Sequence, residues 1–98
     1  MTADQPSLAD LVVAAVTTVD GVSGMHAGMF GEVATYLPGR RVIGVQLRED
    51  VTNVHVILRW GVPLPDTVDA IRAALALVVN TPVHVTVEDV DTEPVARA

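Results

Sequence analysis

Cysteine and lysine are both absent from this sequence. Without cysteine there is no disulfide framework and no thiolate metal centre. Without lysine, all 6 basic side chains are Arg; they face 12 Asp and Glu, and the formal net charge is −6. So acidic a chain lacks the clustered positive charge that a phosphate backbone needs. Aromatic residues are scarce as well: one Phe, one Tyr and one Trp. Bases therefore have no stacking platform, and nucleic acid is discounted as a partner. Long apolar runs are missing too. Stretches such as Ala73 to Val79 fall far short of the roughly 20 residues that span a bilayer. The N-terminus has no basic segment leading into an apolar one, as a signal peptide would. The expectation is a soluble, cytoplasmic protein with no direct membrane insertion.

What is present is chiefly valine, alanine and leucine. Half of the 98 residues are hydrophobic, enough for one core without staples. A single domain over 1–98 is expected, with flexible tails at 1–6 and 91–98. Ser7 reads as an N-cap, with Asp10 three residues later in a capping-box arrangement. Leu8, Leu11, Val12, Ala15, Val16 and Val19 recur at helical spacing until Asp20-Gly21, predicting a helix over 8–19. Val22 to Ala27 suits a short, glycine-weakened edge strand. Phe30, Val33, Ala34 and Leu37 are again helically spaced, which predicts a helical turn or two over 29–37, broken by Pro38-Gly39.

Two stretches, "VIGVQLRE" and "NVHVILRW", alternate with period two around a polar link of hairpin length, Glu49 to Thr52. "GVPLPD" leads into a second helix along Leu64, Val68, Ile71, Leu75 and Val78, closed by Asn80 and Pro82. "VHVTVEDV" is the last strand, and the helix before it acts as a crossover that can set it parallel to its neighbour. The expected fold class is α+β: a two-layer sandwich with two main helices on one face of a small three- to four-stranded mixed β-sheet. Ile43, Val45, Leu47, Val54, Val56, Leu58, Val83, Val85 and Val87 should form its buried face. Leu11, Val12, Val16, Val68, Ile71, Leu75 and Val78 should cover it.

Candidate chemistry is sparse. The glycines at 21, 24, 28, 31 and 39 fit neither the dinucleotide fingerprint nor the P-loop, so tight turns are expected rather than a phosphate cradle. His55 and His84 share the outward sheet face by alternation. With a third ligand such as Glu88 they could hold a metal, but solvated roles are the favoured reading. His26 has no evident partner. No Cys nucleophile and no nucleophile elbow is present, and Ser23 has no evident base. The adjacent acids Glu49-Asp50 and Glu88-Asp89 point to opposite sides of a strand and do not suit shared acid–base work.

The stretch "VDGVSGMHAGMFGEVATYLPGRRVIGV" resembles the entry, glycine pair and short helix ending in Gly-Arg of the alkaline-shock-protein family, the Gls-type envelope stress response proteins of Gram-positive bacteria. "VHVILRWGVPLPDTVDAIRAAL" is similar to that family's strand, Pro-bearing turn and helix, and "VHVTVEDV" to its closing strand. The likeness spans about Ser7 to Val90, and the Arg-only, Ala/Val-rich composition suggests an actinobacterial version. Trp60 stands where Tyr is common, and the Lys-rich tail of many members is missing. The resemblance implies a non-enzymatic cytoplasmic interaction or scaffold protein of the envelope stress response. Such a protein has no cofactor and no catalytic residues, and it self-associates or docks on a small integral-membrane anchor protein. A small-ligand or metal-binding regulatory domain, or an accessory subunit of a neighbouring kinase, are the alternatives. The residues expected to carry an interaction are Met29, Phe30, Tyr36, Arg40 and Arg41.

Overall fold

Ser7 opens the first element as expected. In the computed structural model, which describes residues 6–92, its hydroxyl accepts from the Asp10 N–H at 3.1 Å while the Asp10 carboxylate accepts from the Ser7 N–H at 2.8 Å. This reciprocal cap starts α1, Leu8–Thr17. Its buried stripe is Ala9, Val12 and Val16, narrower than the apolar pattern. Leu11, expected in the core, lies on the flank of that stripe and is 44% exposed. The expected tails, 1–6 and 91–98, lie largely outside the described residues. Asp91 is an exception, because its N–H donates to the Leu58 carbonyl at 2.8 Å and extends the sheet.

Among the described residues six strands follow: β1 (Val22–Met25), β2 (Ala34–Leu37), β3 (Arg40–Ile43), β4 (Val45–Leu47), β5 (Thr52–Leu58) and β6 (Val83–Val90). The second helix, α2 (Leu64–Leu75), joins β5 to β6. The fold is α+β, mostly antiparallel. β5 is the hub of a four-stranded sheet, and β2 and β3 pair separately as a hairpin. β6 runs parallel to β5 along its whole length, from Thr52 opposite Val83 to Leu58 opposite Val90. This is the crossover that the helix position predicts. β4 pairs with the first half of β5 and β1 with the second, both antiparallel, so these two short strands share one edge. His55 is the joint between them: its N–H donates to the Gly44 carbonyl and its carbonyl accepts from the His26 N–H, both at 2.9 Å.

Val45, Val54, Val56 and Leu58 are fully buried, and Ile71 and Leu75 of α2 meet them together with Val12 and Val16 of α1. Val83, Val85 and Val87 are half-buried against this cluster, as are Leu47 and Val78. Val68 is also half-buried. Pro65 occupies the first turn of α2, where its missing N–H costs nothing.

Two expectations are corrected. Residues 29–37 contain no helix. Gly28 and Gly31 take φ of 86° and 74°, outside the range of a right-handed helix, and bend 28–31 into a turn. Ala34–Leu37 then extends as β2, and Pro38-Gly39, with Gly39 at φ 78°, sets Leu37 opposite Arg40. Pro followed by a positive-φ Gly is the chemistry of a two-residue reversal. The second correction concerns the run Val42 to Leu47. Gly44, at φ 86°, breaks it into β3 and β4 and shifts the alternation by one residue. Val42 is buried, and Ile43 is 38% exposed instead of facing the core.

Candidate functional site

The glycine-rich segment folds into a turn in which the backbone N–H groups of Gly28, Phe30, Gly31 and Val33 are already engaged. The Gly28 N–H donates to His26 Nδ1 at 2.9 Å and the Phe30 N–H to the Glu32 carboxylate at 3.0 Å. The Gly31 N–H reaches the Gly28 carbonyl at 3.1 Å, and the Val33 N–H reaches the Ala27 carbonyl at 2.8 Å. Glu32 therefore occupies the place an anion would take in a phosphate loop. A Cβ on Gly28 would come within 2.9 Å of that carboxylate. His26, for which the sequence suggested no partner, is the internal cap of this turn.

The turn thrusts Met29 and Phe30 outward; they are 79% and 86% exposed. Val33 and Ala34, next along the chain, are buried. In the hairpin, Tyr36 pairs with Arg41 and Ala34 with Ile43 on one face, while Thr35 pairs with Val42 and Leu37 with Arg40 on the other. Tyr36, 69% exposed, thus stands beside Arg41, whose guanidinium reaches the Gly31 carbonyl at 3.4 Å. Tyr36, Arg41 and Ile43 share one face of the hairpin, and the Arg41–Gly31 contact links that face to the turn that carries Met29 and Phe30. Arg40 is separated from that face. Its guanidinium faces α1 and holds both Asp10 carboxylate oxygens, at 3.0 and 2.7 Å. That guanidinium and the Ser7 N–H keep the Asp10 carboxyl well below the usual carboxylate range.

On the outward face of the main sheet, His55 Nδ1 and Glu88 Oε2 lie 2.5 Å apart, each about four-fifths buried. Glu88 gets there through a bulge: Val56 pairs with Val87 but Ile57 pairs with Asp89, leaving Glu88 as the inserted residue. His84 lies opposite Asn53 instead. Among the described residues no three His, Asp or Glu side chains gather as a metal-ligand set. Ser23 hydrogen-bonds the Asp91 carboxylate at the surface.

A second apolar feature sits at the β5–α2 turn. Arg59, Trp60, Gly61, Val62, Leu64 and Val90 line an open hollow of about 320 Å³. Trp60 is 61% exposed. Arg59 leans away onto Asp20 at 2.7 Å.

Two members of these surfaces are not evident from the sequence pattern. Alternation alone puts Ile43 in the core, although a lone Gly inside an alternating run is a recognised sign of a bulge or kink. Trp60 closes the alternating stretch "NVHVILRW", but the strand stops at Leu58 and the chain turns there. No helix among the described residues is long and apolar enough to cross a membrane. The chain matches no family model, no curated protein and no solved structure.

Proposed function

We propose that this chain is a non-enzymatic interaction module whose contact face is Met29, Phe30, Tyr36, Ile43 and Arg41. One observation carries the reading: all three aromatic side chains of the protein are on its surface, Phe30 at 86%, Tyr36 at 69% and Trp60 at 61% exposure. Aromatic rings are ordinarily the largest contributors to a core. Here aliphatic residues fill the core, and the aromatics stand with Met and Arg outside it, the composition typical of protein–protein contacts. The two-layer sandwich, with both helices on one sheet face, acts as the rigid mount and the hairpin as the presenting element. The resemblance to the alkaline-shock-protein family supplies the setting: a cytoplasmic scaffold of the envelope stress response, held near the membrane by a small integral-membrane partner. The test is capture from membrane and soluble fractions of the native host by wild type and by a Phe30→Ala/Tyr36→Ala variant. A small membrane protein retained by wild type and lost from an equally stable variant is expected. Equal retention by both overturns the contact face.

The hollow beside Trp60 supports a second reading, a site for a small apolar ligand. Trp60 is the only Trp, so its fluorescence reports occupancy directly. An unchanged spectrum on titration with acyl and aromatic compounds counts against this reading.

A further inference from the structure

We infer that two copies of this chain pair antiparallel through the outer edge of β6, a surface that shares no residue with the aromatic face. Among the described residues, no strand pairs with that edge. The Pro82 carbonyl accepts from the Thr52 N–H and so points inward to β5. By strand alternation the N–H and C=O of Val83, Val85 and Val87 point outward. After the Glu88 bulge the Asp91 N–H again points inward, to Leu58, which turns the Val90 N–H outward. The edge is closed at both ends and open in the middle. The Arg72 guanidinium donates to the Val83 carbonyl at 3.2 Å, and the Asp89 carboxylate accepts from the Val90 N–H at 2.8 Å.

The open middle, Val85 to Val87, lacks the usual guards of a free edge. β6 holds no Pro and no Lys. Its valines are half-buried and would gain cover from a neighbouring strand. A twofold axis through Thr86 sets Val85 opposite Val87 of the second copy, and the two such pairs exchange about four backbone hydrogen bonds. The next outward-facing residues are then Val83 and, because the bulge takes up one position, Val90 of the second copy. Their caps meet. Arg72, whose only ion partner among the described residues is its own Asp69 at 3.8 Å, comes beside Asp89 of the second copy, once at each end. This charge complementarity selects a second copy over an unrelated strand.

Sedimentation equilibrium tests it. Wild type should be a dimer, and the Phe30→Ala/Tyr36→Ala variant should remain one, which separates this interface from the contact face. Arg72→Asp and Asp89→Arg should each raise the dissociation constant about tenfold or more, and the two together should restore it. Val85→Pro, which removes an outward N–H with no partner inside the domain, should be monomeric with an unchanged circular dichroism spectrum. Should Arg72→Asp misfold, Arg72→Gln paired with Asp89→Asn gives the same comparison without repulsion. A monomeric wild type, its edge covered by residues 93–98 or by another protein's strand, overturns the inference. So does a dimer indifferent to the edge substitutions, or one lost with the aromatic pair.

Discussion

Asp10 and Arg40, thirty positions apart in sequence, tie the first helix to the presenting hairpin through two parallel hydrogen bonds of 3.0 and 2.7 Å. The same carboxylate caps α1 by accepting from the Ser7 N–H. Its native pKa is depressed from an ordinary value of 3.8. The carboxylate therefore stabilises the fold at neutral pH, and the contribution is lost as pH falls below the ordinary value toward the depressed one. Thermal unfolding of wild type and Asp10→Asn across this range should show a gap that is widest above about pH 5 and closes on acidification. High salt should narrow it at neutral pH, since the pair is exposed. Ser7→Ala removes the other half of the cap and should cost about 1 kcal/mol.

Gly44 sits where no other residue fits. A Cβ there would come within 2.8 Å of Met25 Cβ and 3.1 Å of the His55 carbonyl, at φ 86°. Gly44→Ala should lose roughly 1–3 kcal/mol from the backbone conformation alone, and more from the contacts. Gly39→Ala shares the positive φ but opens onto free space, so its loss in urea unfolding should be clearly smaller.

The His55–Glu88 contact should register as coupling. Leaving either side chain, about four-fifths buried, without the other should cost about 1 kcal/mol. A cycle of His55→Ala, Glu88→Ala and the double variant should return an interaction energy of roughly 0.5–3 kcal/mol. A value near zero would mean the bulge aims Glu88 at nothing of energetic consequence.

Core and contact face should separate cleanly in stability. Ile71 and Leu75 are fully buried, and each cut to Ala should lose roughly 2–5 kcal/mol. Phe30→Ala and Tyr36→Ala should stay within about 0.5 kcal/mol of wild type. Chemical denaturation measures both, and a large loss at Phe30 would return it to the core.

Much of this architecture is legible in the sequence because its signals are local. The Ser7–Asp10 cap, the alternation of Val54, Val56 and Leu58, and the spacing of Ile71 and Leu75 each depend on near neighbours. The parallel placement of β6 follows from the length of its connection. Residues 29–37 defeat such reading because Phe30, Val33, Ala34 and Leu37 fit a helical period, while two positive-φ glycines and a Pro-Gly reversal forbid the helix. Ile43 fails for a similar reason: one glycine shifts the alternation by a residue. Glu88 reaches His55 only through a bulge that exists once two strands are aligned. The face formed by Phe30, Tyr36 and Ile43 is likewise a product of pairing and turn geometry, and no spacing encodes it.

The joint at His55 has a consequence for how such a chain can vary. The His26 N–H and the Gly44 carbonyl both end on the backbone of this one residue, so the backbone from Ala27 to Ile43 leaves the strand ladder of the sheet and rejoins it at a single residue. Val33 cinches the base, donating to Ala27 and accepting from Gly44 at 2.8 and 2.7 Å. The excursion is a cassette. Val33, Ala34, Leu37 and Val42 are buried or half-buried, Thr35 bonds the Val45 carbonyl and Arg40 is tied to Asp10; Met29, Phe30, Tyr36 and Ile43 answer to whatever they touch outside rather than to the four-stranded sheet beneath. A chain built this way can exchange one docking surface for another by replacing a contiguous segment, while β5 and its neighbours keep their register.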